Sequence, residues 1–110
     1  MEEFKKYYQL PLKYDGHSYI WTSNGKMAFN SFLSNDDTQK LVSILNGEIN
    51  KKCNARYDNC HIVIDGRRCL LVRGWGMLTG RGGYNLDHRK AAAIQDEFAN
   101  WCVNRLNGII

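Results

Sequence analysis

The sequence predicts an α+β domain in the order βββ-α-ββ-α, an antiparallel sheet made of a meander and a hairpin and packed with two helices. Three observations predict it. Glycine-ended pairs, Asp15-Gly16, Asn24-Gly25 and Asp65-Gly66, punctuate runs of strand-forming residues, and such pairs supply the positive φ that two-residue hairpins need. The stretch Asp87 to Leu106 repeats apolar residues at the 3.6-residue period of a helix. Ser34, followed by Asp36 and Asp37, has the form of a helix start, with a capping hydroxyl and acids at the positive end of the dipole. Hydrophobic residues make up 44% and charged residues 24% of the 110-residue chain. That balance belongs to one globular domain, 1–110, rather than to a disordered segment.

Taken in order, Tyr8, Leu10, Leu12 and Tyr14 alternate with polar neighbours as a half-buried strand does. Pro11 lies inside that run, so the strand belongs at a sheet edge, where a missing N–H costs no ladder bond. Asp15-Gly16 turns into a second strand, His17 to Thr22, and Asn24-Gly25 into a third, Lys26 to Phe32. Tight turns fix register. They set Leu12 opposite Tyr19, Leu10 opposite Trp21, Trp21 opposite Ala28 and Tyr19 opposite Asn30. One face then collects Tyr8, Leu10, Leu12, Tyr14, Tyr19, Trp21, Ala28 and Phe32, read here as core packing. The other carries Ile20, Met27 and Phe29, so the sheet is expected to be covered on both sides.

A helix follows from Ser34 and stops at Gly47, with Leu41, Ile44 and Leu45 as its apolar stripe. The polar segment Glu48 to Asn59 leads to a hairpin of Cys60–Ile64 and Arg67–Arg73, in which Cys69 faces Ile62 and Cys60 faces Leu71. The last helix aligns Ala91, Ile94, Phe98, Trp101, Cys102 and Leu106, with Ile109 beyond, and Gln95 sits in that stripe needing a polar partner. Both helices end in Leu-Asn-Gly, at Leu45–Gly47 and Leu106–Gly108.

No run approaches the roughly 18 apolar residues that a membrane span requires, and the charged start Met1–Lys6 has no signal-peptide core. A cytoplasmic setting with free thiols follows, and Cys53, Cys60, Cys69 and Cys102 contain no C-x-x-C pair for zinc. His17, His61 and His88 are scattered, and no nucleophile–base pair can be assigned. The expectation is a non-catalytic protein without metal or cofactor.

Net charge is +4, yet residues 51–90 hold nine Lys/Arg against three Asp, an asymmetry that can mark an anionic partner. Within it, Arg73 to Tyr84 holds five glycines ahead of the last helix. Glycines let backbone amides approach a ligand, and a helix N-terminus attracts anions. The candidate binding residues are Trp75, Thr79, Arg81 and Tyr84, with Arg67, Arg68 and Arg73 adding charge. Trp75, Met77 and Leu78 could instead plug the sheet edge as scaffolding. That is the preferred reading for Trp75 itself, and it leaves the tip Thr79 to Gly83 as contact surface. The function expected is a small accessory, adaptor or inhibitor module that binds a protein partner or self-associates. The alternative is a nucleic-acid or phosphate-ligand binder using the basic 51–90 region.

Overall fold

A computed structural model describes residues 2–110. After a 3-10 turn, Glu3–Lys6, come β1 (Lys13–Tyr14), β2 (Tyr19–Trp21), β3 (Met27–Ser31) and α1 (Asn35–Leu45). Then follow β4 (Ala55–Asp58), β5 (His61–Ile64), β6 (Arg67–Val72), the short α2 (Trp75–Thr79) and α3 (His88–Leu106). The strands form one six-stranded antiparallel sheet in the order β1-β2-β3-β6-β5-β4. The α+β class stands, with one strand and one short helix more than the sequence pattern predicts.

The first strand is much shorter than its alternation suggests, because Tyr8 is drawn away from the sheet edge into the core. Its ring stacks on Phe98 at 4.0 Å and its hydroxyl donates to the Arg73 carbonyl at 2.6 Å. The Asp15-Gly16 turn also opens. The Asp15 carboxylate accepts from the backbone N–H of His17 (2.6 Å) and of Tyr19 (3.3 Å), and Ser18 takes φ 75°. Such a side-chain turn competes with the tight hairpin. The pairs become Lys13–Trp21 and Tyr14–Ile20, an odd-numbered slip from the expected register, which exchanges the two faces of a strand. Ile20, not Tyr19 and Trp21, enters the core. Across the second turn Tyr19 meets Asn30 as expected, but a bulge sets Trp21 opposite Met27 rather than Ala28.

Strand β4 lies inside the segment read as a polar connection. Only Ala55 and Tyr57 mark its inward side, and its turn to β5 is Asn59-Cys60, both at positive φ (49° and 64°). Asn59 tolerates that conformation but Cys60 is no turn signal, so the pair does not read as a two-residue hairpin turn. The Asp65-Gly66 turn pairs Ile64 with Arg67 and Val63 with Arg68, and then a bulge intervenes. Ile62 therefore meets Leu70 and His61 meets Leu71, displacing Cys69 from the pairing expected for it. Cys60 lies in the turn, and all four cysteines are free.

The helix ends follow their chemistry. Ser34 accepts from the Asp37 N–H at 3.2 Å and Asp87 from the Lys90 N–H at 2.8 Å, while Gly47 and Gly108 end the helices at φ 77° and 73°. The repeated Asn of Leu-Asn-Gly does more than cap. Asn46 holds both backbone groups of Leu12 at 2.8 Å. Asn107 holds both of Ala55, at 2.7 and 2.9 Å. Each helix thereby grips an outer strand, or the residue that leads into one. The two three-strand-plus-helix halves meet back to back at the β3–β6 pairing.

The core lies between one sheet face and the helices. Phe98 of α3 is its centre, with Phe4, Tyr8 and Phe29 rings 5.4, 4.0 and 5.3 Å away. Gln95 is buried and donates to the Arg73 carbonyl at 3.2 Å, the backbone partner its place in the stripe requires.

Candidate functional site: the helix-free face of the sheet

Because strand side chains alternate, the register states which residues share a face. Ile20, Phe29 and Val72 line one row, and Ser31, Leu70, Ile62 and Tyr57 another, all toward the helices. The opposite face reads Tyr19, Asn30, Leu71, His61 and Asp58 across five strands. Beside that row lie Lys13, Trp21 and Met27 on one side and Arg68, Val63 and Arg56 on the other. Neither α1 nor α3 covers this face. Val63 is buried yet stands outside the core cluster, and Tyr19, Trp21, Met27 and Leu71 are half-buried without packing on that cluster.

Aromatic rings stand at both ends. Tyr19 and Trp21 meet edge to face at 6.3 Å, and Phe32, 49% exposed, stacks on His61 at 5.9 Å. The Phe32 ring, assigned to the core by sequence pattern, is thus a surface group. Two carboxylates share the face and both are engaged. Asp15 accepts from the Trp21 indole N–H at 2.9 Å, and that bond holds its carboxyl below the ordinary range. Asp58 pairs with Arg56 at 3.3 Å. Lys13 and Arg68, and Arg73 just past β6, make no ion pair among the described residues. The face thus presents apolar and aromatic surface with an excess of positive charge.

The glycine-rich segment borders this face. Met27, opposite Trp21, also lines a groove with Arg73, Gly74 and Trp75. Tyr8 and Gln95 anchor the Arg73 carbonyl from below. Gly74 follows at φ 106°, where a Cβ would sit 2.5 Å from the Tyr8 hydroxyl, so only glycine fits. Gly83 is equally constrained, with the Met77 carbonyl 2.1 Å from a Cβ there. At both positions the glycine lets the backbone pack closely, and the Asp87 carboxylate accepts from the Lys90 N–H at the start of α3. Leu78 is fully buried in the core. Trp75, assigned with it to the scaffold by the sequence reading, is instead 40% exposed, with its ring 5.5 Å from His88.

The other sequence-derived residues disperse. Tyr84, 40% exposed, leans on Tyr7 at 4.7 Å. The Thr79 hydroxyl bonds back to the Trp75 carbonyl at 2.8 Å, and Arg81 is exposed. Arg67 and Arg68 point to opposite faces: Arg67 pairs with Ile64 on the helix side, Arg68 with Val63 on the open side. Tyr19, Trp21, Phe32, His61, Lys13 and Arg56 were missed as site residues. The odd slip at Asp15 hid the first two, and the silent β4 hid the last.

Fold and face define a two-layer α+β domain with one sheet face left open, aromatic and basic. No family model matches the chain, and neither does any curated protein or solved structure. Among the described residues no helix is long and apolar enough to cross a membrane.

Proposed function

We propose that the protein is a non-catalytic module that binds an acidic segment of another protein on the helix-free face of its sheet. One observation carries the reading. Tyr19, Trp21, Met27, Phe32, Val63 and Leu71 gather apart from the core, beside cations whose neighbouring acids are already engaged. Aromatic residues, Met and Arg are the types enriched where proteins bind one another. Positive charge at the margin selects an acidic partner and speeds its arrival. Self-association through this face would bring two sets of unpaired cations together. Addition of a strand at either edge is opposed by Asn46 and Asn107, which occupy backbone groups there.

A photo-crosslinking residue at Phe32, compared with one at exposed Arg89 on α3, tests this in cells that make the protein. An adduct with one acidic protein at Phe32 alone, lost in Arg68→Glu/Arg73→Glu, supports the proposal. Equal adducts at both positions would overturn it. Unpaired cations beside exposed rings also favour a second reading, single-stranded nucleic acid stacked on Tyr19, Trp21 and Phe32. In that case the adduct is an oligonucleotide, and affinity falls steeply with salt as counterions are released.

A further inference from the structure

A second surface lies on the helix-bearing side, away from the face just described. Three elements line an open cleft of 460 Å³: α1, the segment Lys51 to Cys53, and the β5–β6 turn. That volume falls within the roughly 300–1,000 Å³ of small-molecule sites. Leu33, Leu41, Ile44 and Ile64 supply an apolar lining. Lys40, Lys51, Lys52 and Arg67 stand exposed around it and make no ion pair among the described residues. Of the two carboxylates present, Asp37 lies in the first turn of α1, where the helix dipole offsets its charge. Asp65 is the other. Cations therefore outnumber acids two to one around an apolar lining.

We propose that this cleft binds a small amphipathic carboxylate, with its hydrocarbon body on the Leu41–Ile44–Ile64 lining and its anion among Lys51, Lys52 and Arg67. Simple inorganic anions would leave the apolar lining wet, and a neutral hydrocarbon would leave the cations unused. A volume of 460 Å³ suits a small molecule. Arg67 and Arg68, adjacent on β6, point to opposite faces and so serve different surfaces.

Octanoate, octanol and acetate are the probes, titrated into the full chain below micelle-forming concentrations and followed by two-dimensional amide NMR. Octanoate should shift Leu41, Ile44, Lys51 and Ile64 while leaving Tyr19 and Leu71 unmoved. Acetate and octanol should bind at least about tenfold more weakly, a difference of about 1.4 kcal/mol. The triple variant Lys51→Gln/Lys52→Gln/Arg67→Gln replaces only exposed side chains, so its melting temperature should match that of the parent while octanoate affinity falls about tenfold. Equal binding of octanol and octanoate would overturn the proposal, as would shifts confined to the helix-free face or no shift at millimolar octanoate.

Discussion

In the N-terminal half of the molecule three residues separate β3 from α1, whereas fifteen separate β6 from α3. Otherwise the halves match closely: three antiparallel strands, a side-chain-capped helix, and a Leu-Asn-Gly end whose Asn holds the backbone where the outer strand begins. The insertion is where the second half departs from the shared plan. It carries α2, the buried Leu78 and the exposed Trp75 and Tyr84. Matching parts hold the sheet together, and the unmatched part borders the open face. The comparison separates scaffold from surface more cleanly than composition does, since glycine-rich and basic residues occur on both sides of that line.

The largest effect expected within the insertion is from Leu78→Ala. Truncating a fully buried leucine costs about 2–5 kcal/mol, and a chemical melt should show it. Gly74→Ala should follow at about 1–3 kcal/mol, because the added methyl meets the Tyr8 hydroxyl at a φ that side chains avoid. Tyr8→Phe/Gly74→Ala should recover part of that loss, and no recovery would mean that φ alone sets the cost. Asn46→Ala and Asn107→Ala test the equivalence of the halves directly. Each removes a two-bond clamp on a partly buried backbone and should cost about 1–3 kcal/mol. A large gap between the two losses would break the comparison.

Trp75→Ala should cost less than about 1 kcal/mol, since so much of the ring is already in water. A loss of several kcal/mol would return Trp75 to the scaffold. The smallest effect concerns Asp15, whose folded-state pKa is depressed by the Trp21 indole bond. A depressed carboxylate stabilises the fold above its unfolded pKa of about 3.9, and that contribution is lost as pH falls through the lower folded value. In a Trp75→Phe/Trp101→Phe variant, Trp21 emission should therefore stay constant from neutral pH to about pH 4 and change only below it. A transition near pH 6 would point to another group.

Legibility in the sequence followed locality. The cap at Ser34, the stops at Gly47 and Gly108, and the α3 stripe from Ala91 to Leu106 depend on residues within one or two turns, and each stands as predicted. The faces of β2 depended on how Asp15 would use its carboxylate, a choice between two local hydrogen-bond patterns of similar worth. Strand β4 had only half a turn signal to announce it: Asn59 tolerates a positive φ, but Cys60 takes one that only its surroundings impose. The open face was hidden for a further reason. An apolar strand residue looks the same in sequence whether a helix covers it or nothing does. Trp75 shows the converse, since its exposure depends on where Gly74 aims the chain.

The gathering of Phe4, Tyr8 and Phe29 around Phe98 has a consequence for how the chain is made. Synthesis proceeds from the N-terminus, and a domain generally folds as a unit. Here Phe4, Tyr8 and Phe29 all precede the ring they pack on, since Phe98 lies in the last fifth of the chain. The Phe4 amide, likewise, finds its acceptor only in Glu97, at 2.6 Å. An N-terminal half without α3 would leave these apolar side chains uncovered, so the core cannot close until α3 is present.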